Sequence, residues 1–251
     1  MNPSLLECSG VSKTFHGKAG DVEALRDVSL RCPEGELVCF LGASGCGKST
    51  LLQIIAGLER PSAGGVIING REIDAPSDAL GMVFQDHGLF PWATVEDNVG
   101  FNLRARRVGR SARREAVREA LDLVGLSGFS GRYPHELSGG MRQRAGLARA
   151  LSTKPKLLLM DEPFGALDTH TRGRLQQELL SIWSRQLATI LFVTHDIDEA
   201  LILADRIIVF RPRPGRIREI VTPDLPRPRN PHAPEFLALA RELEALVGPT
   251  E

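Results

Sequence analysis

The spacing of apolar residues changes along the chain, and each change marks a different kind of element. Near the start, "SLLECSGVSKTF", "ALRDVSLRC" and "GGVIINGREI" mix alternating polarity with β-branched residues and turn signals, the pattern of short strands. "ELVCFLGA" is a near-continuous apolar run closed by glycine, which predicts a strand buried on both faces. It leads into "GKSTLLQIIAGL", where Leu51, Leu52, Ile55 and Leu58 fall on one helical stripe. Strand, glycine loop and helix in that order make the βα unit of a parallel sheet.

Between about Gly88 and Ser152 the texture becomes helical. "VEDNVGFNLRARRVG", "SARREAVREALDLVGL" and "MRQRAGLARALS" carry spaced apolar residues among many arginines, and predict an inserted helical lobe. Buried-strand runs then return as "PKLLLMDEP" and "ATILFVTHD", separated by the helix "TRGRLQQELLSIWSRQ". "DRIIVFRPRPGRIREI" reads as a closing hairpin, and the proline-punctuated tail ends in the helix "PEFLALARELEALVG". The predicted organisation is one domain over 1–251. It comprises a core with a β subdomain (1–87 and 153–221), a helical lobe (88–152) and a tail (222–251).

Composition narrows the classes. At 251 residues, 42% hydrophobic and 25% charged, the chain has the make-up of an ordinary globular domain. Lys+Arg and Asp+Glu balance at 31 each, which argues against a general nucleic-acid-binding surface. No apolar run approaches the ~18 residues of a membrane span. The start "MNPSLLECSG" lacks signal-peptide character, so a cytoplasmic setting is expected. Cys8, Cys32, Cys39 and Cys46 form no CxxC pair and read as buried or incidental thiols.

The candidate chemistry starts at "GASGCGKST", which fits G-x-x-x-x-G-K-[ST] between a predicted strand and helix. Gly42, Ala43, Ser44, Gly45, Cys46, Gly47, Lys48, Ser49 and Thr50 would turn backbone N–H groups and a helix N-terminus toward phosphates. Lys48 would reach the β/γ-phosphates and Ser49 would bind Mg²⁺. In "LLLMDEPFGALD" an apolar strand delivers Asp161, suited to Mg²⁺, and Glu162, suited to polarising an attacking water. A second glycine turn, "LSGGMRQR", offers Ser138, Gly139 and Gly140 at the positive end of a helix.

Taken in order, "GASGCGKST", "FQ" at 84–85, "LSGGMRQR", "LLLMDEP", "GALD" and "VTHD" make the chain similar to ABC-type ATPases over roughly residues 5 to 220. The resemblance implies an α/β fold: a P-loop NTPase (RecA-like) core, an antiparallel β subdomain and an inserted α-helical signature subdomain. It implies ATP and Mg²⁺ as ligands, with Lys48, Gln85, Glu162 and His195 as the catalytic set and Ser49, Gln85 and Asp161 around the metal. Phe15 matches the aromatic that stacks on adenine, against a rival reading as a core residue, and Asp168 matches the aspartate that crosses to the opposite subunit. Asp196 reads as a helix cap, and the sole tyrosine, Tyr133, as packing.

In this family Ser138, Gly139 and Gly140 bind the γ-phosphate of a nucleotide held by another subunit, so the resemblance implies a second ATPase subunit, as a homodimer. It further implies transmembrane permease subunits, a substrate-binding protein acting indirectly, no nucleic acid, and a peripheral place on the cytoplasmic face of the bacterial inner membrane. "GLFPWATVEDNV", Met141 and "RPRPGRI" look like the nitrate/sulfonate/taurine/bicarbonate import ATPases, with Leu89, Phe90, Pro91 and Trp92 near the permease. Taurine or an alkanesulfonate is the first expectation for the cargo. Pyrimidine-precursor importers share parts of the pattern, and a soluble non-transport ABC ATPase and a P-loop kinase are the remaining alternatives. The run Arg104, Arg106, Arg107, Arg110, Arg113 and Arg114 reads first as a solvated helix face, with contact to anionic headgroups or the membrane partner as the alternative.

Overall fold

The structure, a computed structural model, describes residues 4–248 except Ala19, Ala166, Leu187 and the side chain of Gln186; Ala166 of the "GALD" stretch therefore lies outside the described residues. In chain order the elements begin β1 (Ser4–Gly17), β2 (Gly20–Pro33), β3 (Leu37–Leu41), α1 (Lys48–Ile55), β4 (Ala63–Ile68), β5 (Arg71–Glu72) and β6 (Leu80–Val83). The helical stretch follows as α2 (Val95–Val99), α3 (Phe101–Ala105), α4 (Arg110–Leu123) and α5 (Gly139–Leu151). The chain closes with β7 (Leu157–Asp161), α6 (Thr169–Gln186), β8 (Thr189–Thr194), α7 (Ile197–Leu203), β9 (Arg206–Arg211), β10 (Arg216–Val221) and α8 (Pro234–Val247). The fold is mixed α/β, as the resemblance implies.

Two compact units divide the chain. One comprises residues 1–77 and 187–251, the other 78–186. In the first, β1 pairs antiparallel with β2 and β4, and β4 with β5, giving the order β2-β1-β4-β5. The turn between β4 and β5 is Asn69-Gly70 with both residues at positive φ, the geometry that hairpin twist requires. A second set in the same unit places β3 between β9 and β8, parallel to both, with β10 antiparallel to β9. Every residue of β3 and β8 is buried, which accounts for their uninterrupted apolar sequences. Phe40 and Phe210 meet there with ring centroids 5.4 Å apart.

The stripe read into α1 is shorter than its sequence suggests. Leu51, Leu52 and Ile55 are buried, but Leu58 is exposed and lies beyond the helix end, where Gly57 takes φ +71°.

In the second unit β6 and β7 run parallel. "VEDNVGFNLRARRVG" forms two short helices, α2 and α3, meeting at Gly100. Helix α5 buries a continuous stretch from Ala145 to Leu151. Among the described residues no helix is long and apolar enough to cross a membrane.

Candidate functional site

The glycine loop after β3 belongs to the first unit. Gly47, at φ +90°, is the N-cap of α1, and no side chain caps that helix. A Cβ at Gly47 would sit 2.6 Å from the Ala24 carbonyl oxygen, so only glycine lets the loop lie this close to β2. Lys48 is 3% exposed and folds back into the loop. Its Nζ donates to the Gly42 carbonyl at 2.7 Å and the Ala43 carbonyl at 3.0 Å, and lies 3.7 Å from the Cys46 sulfur. Two carbonyls and a thiol carry no countercharge. A buried cation so held, beside an uncapped helix N-terminus, fits an anionic oxygen ligand of several charges. Ser49, with a half-buried side chain, and Thr50 follow in the first turn of α1.

The hairpin between β9 and β10 reaches the same loop. Gly215 donates its N–H to Ala24 at 3.0 Å and accepts from Arg26 N–H at 3.0 Å. A Cβ on Gly215 would lie 2.2 Å from the Cys46 carbonyl oxygen. The "RPRPGRI" stretch therefore braces the glycine loop from behind.

His195 follows β8 directly and is exposed. Its neighbours are held firmly: Asp196 accepts from Glu199 N–H at 3.0 Å, capping α7 as its sequence suggests, and its own N–H donates to the Thr194 hydroxyl at 3.0 Å. At the far end of α7, Arg229 Nη1 donates to the Leu201 and Ala204 carbonyls at 2.5 and 2.6 Å, and Arg227 Nη2 to Leu203 at 2.5 Å. Burial and the nearby Arg227 charge lower the Arg229 pKa. The tail thus caps the helix that the histidine precedes.

Phe15, on β1 in this unit, is 40% exposed, so it is not a core residue. The Lys13 ammonium lies 4.9 Å from its ring centroid. Its accessible π-face leaves room for a planar ligand.

The remaining candidates sit on the second unit. Gln85 is exposed after β6. Two residues on, the backbone is gripped by Arg149 of α5, whose guanidinium donates to Gly88 at 2.6 Å and to His87 at 3.0 Å. Burial lowers the pKa of Arg149, and burial followed by the Arg142 charge lowers that of His87. Asp161 ends β7 and Glu162 follows it, both half-buried. Glu162 takes φ +42°, a left-handed conformation uncommon for a residue with a Cβ and frequent at functional positions. Asp168 caps α6, accepting from Thr171 N–H at 3.0 Å, and that bond leads the causes lowering its pKa.

Ser138 is the N-cap of α5 and accepts from Met141 N–H at 3.3 Å. Gly139 and Gly140 form the first turn, where N–H groups have no intrahelical acceptor. Ser138 and Gly139 are exposed, so this end of the helix is open to an anion. Tyr133 differs from its reading as a packing residue. It is 40% exposed, with its ring stacked on His135.

On the same unit, "LFPWATVEDN" is organised by Asn98, which is fully buried. Its side-chain oxygen accepts from Phe90 N–H at 2.7 Å, and its amide donates to the Phe90, Ala93 and Thr94 carbonyls. Phe90 contacts Trp92 and Phe101, leaving Trp92 76% exposed.

A family model described as "ABC transporter" matches residues 25–165. The chain belongs to the ABC transporter ATP-binding family. As such it is an ATP hydrolase coupled to transport, of the group of import ATP-binding subunits. The nitrate import ATP-binding protein NrtD of Synechocystis is 44% identical, the match covering 96% of this chain and 94% of that one. The aliphatic sulfonates import ATP-binding protein SsuB of Bacillus cereus is 44% identical over 93% of this chain and 92% of that one. Among solved structures, the ATP-binding cassette MJ0796, a dimer in a post-hydrolysis state with ADP and Pi, is 32% identical with TM-score 0.76. The match covers 90% of this chain and 99% of that one.

Several residues of this ABC ATPase escaped the sequence reading. Thr194, Glu199 and Asn98 bond within their own stretch of chain, whereas Arg149 and Gly215 work through distant partners; Arg149 meets carbonyls 61 and 62 positions away. The capping tail arginines carried no signal beyond their number.

Proposed function

We propose that the chain is the motor subunit of an importer for a small oxyanion, with taurine or an alkanesulfonate as first cargo. Two copies would sandwich two Mg-ATP head-to-tail against transmembrane permease subunits, at the cytoplasmic face of the membrane. The observation that carries the shared-site reading is the open start of α5, with Ser138, Gly139 and Gly140 presenting donors to solvent. On this reading they complete the phosphate site of the opposite copy, while Asp168, exposed at the start of α6, meets that copy beside it.

Within each copy, Phe15 stacks on adenine and the 42–50 loop cradles the phosphates, with Lys48 leaving its carbonyl partners for the β/γ-oxygens. Ser49, Gln85 and Asp161 are oxygen donors of the hard type that Mg²⁺ prefers, and bound there the ion would neutralise phosphate charge. Glu162 orients and polarises the attacking water, and His195 and Gln85 respond to the γ-phosphate. Contacts that exist only with the γ-phosphate convert its loss into separation of the copies. The Asn98-organised loop, with Phe90 and Trp92 outward, is the surface offered to the permease.

The cargo reading is supported by the sulfonate import name carried by relatives at 44–45% identity. Nitrate is the second reading, favoured by a relative similar over 96% of the chain. The test is to reconstitute the subunit with its permease and binding protein and measure uptake and ATPase stimulation by taurine, an alkanesulfonate and nitrate. Stimulation by a sulfonate and not by nitrate supports the first reading. The reverse supports the second, and stimulation by neither removes both.

A further inference from the structure

Helix α4 begins in an unusual way. Its N-cap is Gly109, no side chain caps it, and its first turn holds no acidic residue. Arg110 and Arg113 occupy that turn instead, with Arg114 next, so cations stand at the end of the helix that favours anions. No hydrogen bond or ion pair to another described residue engages these three guanidinium groups.

The same arginines line a cleft of about 360 Å³ within the second unit, together with Glu96, Asp97, Gly100, Arg104 and Val117. Asp97 is already paired within the cleft wall: it accepts from Arg104 at 2.5 Å and from the Thr94 hydroxyl at 3.0 Å. Gly100 keeps the floor open, since a Cβ there would lie 3.2 Å from Val117 and 3.8 Å from the Arg113 Cδ. Four guanidinium groups thus face two carboxylates, an excess of two positive charges, and Glu96 alone opposes Arg110, Arg113 and Arg114.

We propose that this cleft is an oxyanion-binding site, taking a phosphate, sulfate or sulfonate group between Arg110, Arg113 and Arg114. Forked N–H donors match the paired oxygens of such groups. The group has two sources, a free intracellular anion or the headgroup of an anionic lipid. The inference does not depend on which cargo is carried.

Saturating Mg-ADP first occupies the phosphate loop, and the variants below separate binding in the cleft from binding at the open start of α5. Binding is then measured calorimetrically with sodium sulfate and methanesulfonate, and by co-sedimentation with phosphatidylglycerol and phosphatidylcholine vesicles. Arg110→Gln/Arg113→Gln is compared with Arg118→Gln, a charge loss outside the cleft at a residue paired with Glu115 and Asp122. The double variant is expected to weaken binding about 10-fold or more and Arg118→Gln less than about 2-fold. Saturable binding of the free anions identifies the first source. Binding to phosphatidylglycerol vesicles alone identifies the second. Absence of both, or equal loss in the two variants, overturns the proposal. Melting temperature and basal ATPase rate, measured on each variant, show that the comparison is between folded proteins.

Discussion

The Thr194 hydroxyl donates a 2.7 Å hydrogen bond to the Glu199 carboxylate, both side chains buried, with the exposed His195 between them in sequence. The same hydroxyl accepts the N–H of Asp196, so the residues flanking the histidine are tied to the first turn of α7. We predict that Glu199→Ala lowers kcat about 10-fold while the KM for ATP changes little, because it loosens the backbone that aims His195 rather than a nucleotide contact. The lost partner should also cost about 1–3 kcal/mol of stability. Glu199→Gln, which still accepts from Thr194, should recover most of the rate. Steady-state kinetics on both variants with a denaturation curve decide it, and equal damage in the two would discard the positioning role.

The packing of Gly215 on the Cys46 carbonyl leads to a second prediction. Gly215→Ala places a methyl group where 2.2 Å separates it from that oxygen, and the obstruction is backbone, which cannot rotate aside. The hairpin or the glycine loop must move. We expect a loss of about 1–3 kcal/mol in stability and at least about 10-fold weaker ATP binding. Nucleotide titration would show it, and wild-type affinity would mean the loop tolerates the shift.

Two substitutions separate binding from turnover. Lys48→Ala removes the buried cation of the loop, so nucleotide affinity should fall about 10-fold or more. Glu162→Gln keeps shape but not basicity, and should bind Mg-ATP, hydrolyse it at least about 100-fold more slowly and accumulate as a dimer. Light scattering with and without Mg-ATP measures the last point. A Glu162→Gln protein that stays monomeric with nucleotide bound and permease present would refute the shared-site reading.

The thiols report on burial. Desolvation pushes Cys8 and Cys32 up to about 12, Cys39 well above its ordinary value, and Cys46 up despite the opposing charge of Lys48. Native protein at pH 8 should therefore react slowly with Ellman's reagent, and unfolded protein should yield all 4 cysteines. The sign for stability follows. In the unfolded chain the thiols ionise above about pH 8.5, whereas the folded ones stay neutral toward 12. Their contribution is fully present below pH 8 and declines as pH rises toward 12, by up to about 1.4 kcal/mol per unit for each group. Urea denaturation at pH 8 and pH 10 tests it, with the midpoint lower at pH 10.

Much of the candidate site is written in the sequence, because the chemistry proposed for it is local. A phosphate cradle needs glycines, a lysine and a hydroxyl at fixed spacing after a strand, and "GASGCGKST" holds them all within nine residues. The signature turn is likewise a cap and a helix start, a few residues long. The strands β3 and β8 were legible because burial on both faces demands an unbroken apolar run. Leu58 misled for the opposite reason: periodicity continues through a sequence that backbone geometry has already turned at Gly57.

Sequence alone thus determined a phosphate-loop pattern and most of the strands and helices, since both follow from neighbours along the chain. Only the tertiary structure decided what holds those segments in place. Arg149 reaches across 61 positions to the backbone beyond Gln85, Gly215 braces Cys46, Arg229 caps α7 from the tail, and Asn98 shapes the loop that exposes Trp92. Apart from Asn98, whose partners lie within eight residues, each is a hydrogen bond or close packing between residues brought together by folding. Their residue types are common ones, so their roles arise from position in space rather than spacing in sequence.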